Sequence, residues 1–215
     1  MSRTRKDGLT HFMLKQILLS PVCIKCGSLF RTDSLFCRIC FESQIIDRIE
    51  EKKQSHLENH FYLLAWPKNK SLILNEMVYR MKSNNSEAAW KLYVNYIFVN
   101  LPVDWKSHHA IVPIPGSKQT SVHAQIFARE LSRKTKLPVL EIFEKIAATE
   151  QKMLSANQRR AAGRFRLKRA PPEDFTQLII VDDVLTTGQS YLQAARLLPA
   201  RCNSLALTLF YRPLN

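Results

Sequence analysis

The sequence predicts an α/β chain, a parallel sheet flanked by helices, with a small cysteine-bearing module at its N-terminal end. Three observations lead there. The 215 residues suffice for one substantial core with an appended piece, and fall short of two ordinary enzyme domains. From His109 onward, short apolar runs alternate with helical stretches, the pattern of parallel βαβ units. Ahead of them, four of the five cysteines fall in two Cys-x-x-Cys pairs. The expected boundary puts the module at 1–45 and the α/β domain at 46–215.

Residues 9–19 carry apolar side chains at near-helical spacing and stop at Ser20-Pro21, which predicts a short amphipathic helix leading into the module. Residues 45–60 are highly charged, with Ile45, Ile46, Ile49 and Leu57 as the apolar positions, and read as a connecting helix with one sticky face. A strand is expected over 61–65. Two helices follow over 72–81 and 88–99, joined through Lys82-Ser83-Asn84-Asn85-Ser86. The regular part then runs strand 110–114, helix 120–132, strand 139–143, a polar stretch, strand 178–181, helix 188–198 and strand 204–210. Sheets of this kind take their ligands at the carboxyl ends of the strands.

Hydrophobic residues at 46% and charged residues at 23% are those of a folded globular chain, which excludes wholesale disorder. The formal charge of +14, from 32 basic and 18 acidic residues, favours polyanionic partners through long-range attraction without naming one. No apolar run reaches the roughly 18 residues of a spanning helix, so neither a membrane anchor nor a signal peptide is expected. Paired cysteines suit metal binding in a reducing compartment better than a disulfide framework, which makes the cytoplasm the expected location. Cys202 is left over and reads as a small packing residue before the last strand.

Cys23-Ile24-Lys25-Cys26-Gly27 and Cys37-Arg38-Ile39-Cys40 are separated so that two knuckles can bring four thiolates onto one structural zinc ion. Gly27 can supply the positive φ such a turn needs, while Lys25, Arg31 and Arg38 offset the charge of a four-thiolate site. No strand precedes either pair, which argues against a thioredoxin-type redox motif.

The C-terminal motif is an apolar strand, Leu178-Ile179-Ile180-Val181, followed by Asp182-Asp183, Val184-Leu185, and Thr186-Thr187-Gly188-Gln189-Ser190 opening a helix. Two carboxylates at a strand end can accept hydrogen bonds from a vicinal ribose diol or orient water around a magnesium ion. The turn after them offers backbone amides, three hydroxyls and the positive end of a helix to a phosphate monoester. An apolar strand ending in Asp-Asp also suits the magnesium-binding strand of a nucleoside triphosphatase. The five glycines, at 8, 27, 116, 163 and 188, complete neither G-x-x-x-x-G-K-[ST] nor G-x-G-x-x-G, so those two nucleotide sites are excluded.

The segment VDDVLTTGQS resembles the phosphoribosyl pyrophosphate loop of type I phosphoribosyltransferases, and the chain resembles the ComF family of competence-associated proteins nearly end to end. The resemblance includes LLSPVCIKCG with its cysteines, VYRMKSNN, the strand IVPIP, and QKMLSANQRRAAGRF before the final motif. It implies a type I phosphoribosyltransferase-like sheet. It further implies that Asp182 and Asp183 contact the ribose hydroxyls and that Thr186, Thr187, Gly188, Gln189 and Ser190 cradle the 5-phosphate, with magnesium accompanying the ligand. Where the family carries an arginine-rich stretch after its VPVP strand, Pro115-Gly116-Ser117-Lys118-Gln119 stands instead, leaving Lys118, with Arg159 or Arg160 as further candidates, for the pyrophosphate side. Ala162 replaces the family's usual asparagine, while Gln151, Leu154 and Arg159 match. The function implied is binding of phosphoribosyl pyrophosphate or ribose 5-phosphate by an accessory that handles incoming single-stranded DNA in natural transformation, alongside DNA-uptake proteins. The alternative is an active phosphoribosyltransferase that releases pyrophosphate to an acceptor the sequence does not identify.

Residues 151–172 hold Lys152, Arg159, Arg160, Arg164, Arg166, Lys168 and Arg169 without an acidic residue. That stretch is expected either to close over pyrophosphate or to track the backbone of single-stranded DNA, with Arg159, Arg160, Arg164 and Arg166 as contacts. A solvated cationic face is the plainer alternative. His56 and His60, four apart, would share a face of a connecting helix, where a pair of metal ligands is a minor alternative. His108-His109 reads as a polar lead into a strand, and Trp66, Trp90 and Trp105 as packing residues.

Overall fold

A computed structural model describes residues 22–29, 32, 34–50, 55–66, 72–83, 87–116, 122–146 and 164–212. Four strands form one parallel sheet: β1 (His60–Ala65), β2 (Ala110–Pro113), β5 (Gln177–Leu185) and β6 (Asn203–Tyr211), in the order β1-β6-β5-β2. A separate antiparallel ribbon pairs β3 (Phe143–Lys145) with β4 (Phe165–Leu167). The helices are α1 (Arg38–Phe41), α2 (Asp47–Glu50), α3 (Leu72–Ser83), α4 (Glu87–Asn100), α5 (His123–Thr135) and α6 (Gln189–Leu197), with a π-helical turn over Glu42–Ile46 between α1 and α2.

The period-2 geometry of a strand sends alternate residues of β5 to opposite faces. Ile179 and Val181 join Ile111 of β2, Ile126, Phe127 and Leu131 of α5, and Trp90, Tyr93 and Ile97 of α4. Leu178 and Ile180 join Ala110 and Val112 with Ala194 of α6, and Phe143 and Phe165 of the ribbon. Helices therefore cover both faces, which is why β5 reads as a continuous apolar run. All four of these β5 residues are at most 1% exposed, and each such burial contributes about 1.5–3 kcal/mol.

The cysteine module is continuous with this core. Cys23, Leu35, Phe36, Cys37, Cys40 and Ile45 pack in the same apolar cluster as α4 and α5. The buried Tyr93 hydroxyl donates to the Ser34 carbonyl at 2.9 Å.

Strand 61–65, the helices over 72–81 and 88–99, and the strands around 110, 178 and 204 are found close to their expected bounds. Three expectations change. The connecting helix does not extend over 45–60: α2 is described to Glu50, 55–59 form a turn and β1 starts at His60. Ser55 breaks it locally, since its hydroxyl accepts the Leu57 amide at 3.1 Å in place of a helical carbonyl. The expected strand 139–143 contributes only a parallel bridge from Val139 to Ile111, and Phe143 begins the ribbon. Helix α5 runs over His123–Thr135 and closes at Lys136, whose φ of 68° lets its amide bond the Ser132 carbonyl at 2.8 Å. The expected helix over 9–19 lies outside the described residues.

The chain leaves β2 through α5 to the Val139 bridge on one side, and leaves β5 through α6 to β6 on the other. Strand order thus reverses between β2 and β5, on opposite sheet faces. In open α/β sheets such a reversal point, at the carboxyl ends of the two strands, is where ligands are taken.

Candidate functional site

The carboxyl end of β5 is where the Asp-Asp motif lies. Strand β2 stops at Pro113, paired with Val181, and the Ile114 amide closes the ladder on the Val181 carbonyl at 3.0 Å. Asp182 and Asp183 come next on β5, half-buried and beyond the end of β2, with Asp182 still paired to Thr208 of β6. Asp182 Oδ1 accepts the Asp183 amide at 2.8 Å, which fixes the first carboxylate against its own backbone.

Leu185 ends the strand, and Thr186, Thr187 and Gly188 turn the chain into α6. Gly188 is the N-terminal cap at φ 74°, and the Thr187 hydroxyl accepts the Gln189 amide at 3.3 Å. The first turn of any helix leaves amides without intrahelical partners, so Gly188 and Ser190 present donors at the positive end of the helix dipole, while Gln189 is capped by Thr187. Sequence-predicted Asp182, Asp183, Thr186, Thr187, Gly188, Gln189 and Ser190 are all brought to this one corner at the sheet's reversal point.

The segment 55–59 docks against the same loop, a long-range contact with no signal in the local residue pattern. A Cβ on Gly188 would lie 2.8 Å from Leu57 Cδ1 and 3.5 Å from His56 Nε2. Leu57 packs with Tyr62, Leu185, Ala206, Tyr211 and Tyr191 in a small cluster beneath the loop. His56 Nδ1 lies 2.8 Å from the Tyr211 hydroxyl and Nε2 lies 3.4 Å from the Thr187 carbonyl.

His60 belongs to β1, which corrects its expected place on a helix face shared with His56. Its Nε2 lies 2.8 Å from the Thr208 hydroxyl, which itself donates to the Phe210 carbonyl at 3.0 Å. Nε2 therefore carries the proton. Burial, and the neighbouring His56 after it, hold this imidazole down to about 4.

The second candidate centre is the cysteine cluster. All four Sγ atoms of Cys23, Cys26, Cys37 and Cys40 lie within 4.8 Å of one another. In the first knuckle the Gly27 amide donates to the Cys23 carbonyl at 2.9 Å, with Gly27 at the expected positive φ of 75°. In the second, Leu35 takes a φ of 75° before Cys37, and the Phe41 amide donates to the Cys37 carbonyl at 2.9 Å.

Cys26 Sγ and Cys37 Sγ are 3.7 Å apart. Zinc about 2.3 Å from four sulfurs at tetrahedral corners sets edges of about 3.8 Å, so these residues fit a structural zinc ion. Burial pushes the Cys23 thiol up, but the amides of Cys37, Cys26 and Lys25 outweigh it and bring it down to about 6. Burial first, then the neighbouring thiols, push Cys40 up to about 12.

No protein-family model matches the chain, and no curated protein matches it. Among solved structures it is similar to an orotate phosphoribosyltransferase from Aeropyrum pernix, at 17% identity and a TM-score of 0.36. That likeness covers 60% of this chain and 61% of that one, so the chain spans less than two thirds of that enzyme.

Of the basic residues singled out from sequence, Arg164 and Arg166 lie on and beside β4, and Lys118, Arg159 and Arg160 lie outside the described residues. Arg164 is exposed, its amide donating to Gln193 Oε1 at 3.1 Å, while the Gln193 side-chain amide donates to the Phe165 carbonyl at 2.6 Å. Gln193 thereby ties the ribbon to α6. Arg166 pairs with Glu144 across the ribbon at 2.8 Å. His109 Nδ1 accepts the Thr176 amide at 3.0 Å, a polar lead into β2 as expected. Trp90 stacks on Phe127 and Trp105 on Phe98, both packing contacts. No helix among the described residues is long and apolar enough to cross a membrane.

Proposed function

We propose that the chain binds the ribose 5-phosphate part of phosphoribosyl pyrophosphate at the end of β5, as a ComF-like accessory handling incoming single-stranded DNA in natural transformation. The observation that supports this best is the Asp182-Asp183 pair and the Thr186–Ser190 turn meeting at the point where strand order reverses. In this reading Asp182 and Asp183 accept hydrogen bonds from the ribose diol. The loop amides and the hydroxyls of Thr186, Thr187 and Ser190 donate to the 5-phosphate. The sequence resemblance assigns Lys118 to the pyrophosphate side, where a magnesium ion would supply charge neutralisation. The DNA-handling part rests on the sequence resemblance and on the basic residues from Arg159 to Arg166.

Calorimetry tests the ligand. Ribose 5-phosphate should compete well with phosphoribosyl pyrophosphate. Asp182→Asn with Asp183→Asn should weaken binding at least about tenfold, since each lost bond to a charged group costs about 1.5–3 kcal/mol. Equal affinities, or no binding to wild type at millimolar ligand, would overturn the reading. Pyrophosphate release with any nucleobase or amine acceptor would instead mark an active transferase. For DNA, changing Arg159, Arg160, Arg164 and Arg166 to alanine should flatten the slope of log affinity against log salt by roughly 0.7 per lost contact.

A further inference from the structure

We propose that His56 is a positioning residue for the phosphate loop, held in a single tautomer by Tyr211. This rests on the phosphate reading for what the loop binds, but the brace itself is read from contacts that involve no ligand.

Three contacts converge on His56, two of them on its imidazole. The Tyr211 hydroxyl oxygen lies 2.8 Å from His56 Nδ1 and 3.4 Å from the His56 backbone amide. The Thr187 carbonyl lies 3.4 Å from His56 Nε2. A carbonyl only accepts, so Nε2 must carry a proton to bond it. A neutral ring then leaves Nδ1 as an acceptor, and the Tyr211 hydroxyl must donate to it. The hydroxyl's lone pairs are left to accept the His56 amide. Each donor in the chain from His56 N–H through Tyr211 O–H to His56 Nε2–H thus has an acceptor.

The consequence for the loop follows from the peptide bond. The unit joining Thr187 to Gly188 is planar and trans, so its carbonyl and its amide point in opposite directions. Turning the Thr187 carbonyl toward His56 therefore turns the Gly188 amide away from it, toward the side the loop offers to an anion. Leu57, packed beneath with Tyr191 and Leu185, keeps the backbone of residue 188 at contact distance from this segment. His56 comes from before β1 and Tyr211 from the end of β6, so the loop's orientation is set by parts of the chain remote in sequence from the motif.

The test uses the full-length, zinc-loaded chain with the substitutions His56→Ala, His56→Gln, His56→Asn and Tyr211→Phe. Glutamine reaches as far as Nε2 and keeps a donor for Thr187, whereas asparagine reaches only as far as Nδ1. Nitrogen-15 spectra of the wild-type ring should show the Nε2–H tautomer, and Tyr211→Phe should mix the two. Hydrogen exchange at Gln189 and Leu192, whose amides bond the Thr187 hydroxyl and the Gly188 carbonyl, read without ligand, should quicken about fivefold in the alanine, asparagine and phenylalanine variants and return in glutamine. Amides of β5 and β6 should stay protected, reporting an intact fold. Ribose 5-phosphate affinity should follow the same order.

Loop exchange unchanged in His56→Ala, or no rescue by glutamine, overturns the inference whatever the protein binds. Measurable wild-type binding with no loss in His56→Ala overturns it as a phosphate-positioning device. Altered exchange with no ribose 5-phosphate binding by wild type leaves the brace standing and removes the proposed ligand.

Discussion

Replacing Gly188 with alanine asks how strongly the loop conformation is specified by backbone geometry. Gly188 sits at φ 74°, where an L-residue pays roughly 1–2 kcal/mol relative to its ordinary region. The new Cβ would also meet Leu57 Cδ1 at 2.8 Å and Cγ at 3.4 Å. Leu57 presents the far end of a flexible side chain, so it moves off its rotamer at about 0.5–1.5 kcal/mol and does not force the backbone apart. The total loss is then about 1.5–3.5 kcal/mol. Urea unfolding of wild type, Gly188→Ala, Leu57→Ala and the double variant separates the two parts. Leu57→Ala removes only the steric share, so the coupling between the sites should be about 0.5–1.5 kcal/mol and a loss of about 1–2 should persist in the cycle. A Gly188→Ala variant within about 0.5 kcal/mol of wild type, or one fully restored by Leu57→Ala, would refute the argument that φ dominates.

The buried His60 makes stability depend on pH. Its folded value of about 4 lies below the ordinary 6.5, so the unfolded chain takes up the proton first as pH falls. The contribution is complete above pH 6.5 and lost between 6.5 and 4, at most about 3 kcal/mol. His60→Gln keeps a donor for Thr208 without titrating and should flatten urea-unfolding stability across that window, whereas an unchanged profile would assign the acid sensitivity elsewhere. For the cysteine cluster, elemental analysis of protein purified without chelator should give one zinc per chain, and Cys37→Ser with Cys40→Ser should lose it. Because the sulfurs pack in one cluster with Trp90 and Ile97, chelation should lower the melting temperature of the whole chain, and a melt that ignores chelation would count against the site.

The parts of this fold legible in the sequence are those in which local chemistry and tertiary role coincide. Leu178, Ile179, Ile180 and Val181 announce a strand buried on both faces because helices lie on both faces. The Cys-x-x-Cys spacing announces a cluster because each knuckle closes on itself through its own amides. What escaped depends on partners far away in sequence. Val139 looks like a strand residue and makes one bridge, since the chain leaves the sheet at once to build the ribbon with Phe165. Ile45, Ile49 and Leu57 share helical spacing, but Ile45 and Ile49 pack with the cysteine module whereas Leu57 packs under the loop at Gly188. A pattern within 45–60 cannot show that its two ends serve different neighbours.

The difference in length between β2 and β5 is what permits two carboxylates at this place. Inside a parallel sheet covered on both faces, an ionised aspartate would cost several kcal/mol unless paired. Strand β5 has nine residues and β2 has four, and their pairing ends at Val181. Asp182 is therefore the first β5 residue beyond β2, at the step where buried apolar surroundings give way to half-burial. On its other side β6 continues to Tyr211, pairing Asp182 with Thr208 and Leu185 with Tyr211, so the carboxylates stay on a rigid strand and not on a loop. Tyr211 is also the residue whose hydroxyl meets His56. The long β5–β6 pair thus fixes the carboxylates and the anchor of the phosphate loop's brace in one register, and a shift of that register by one residue would turn each to the opposite face.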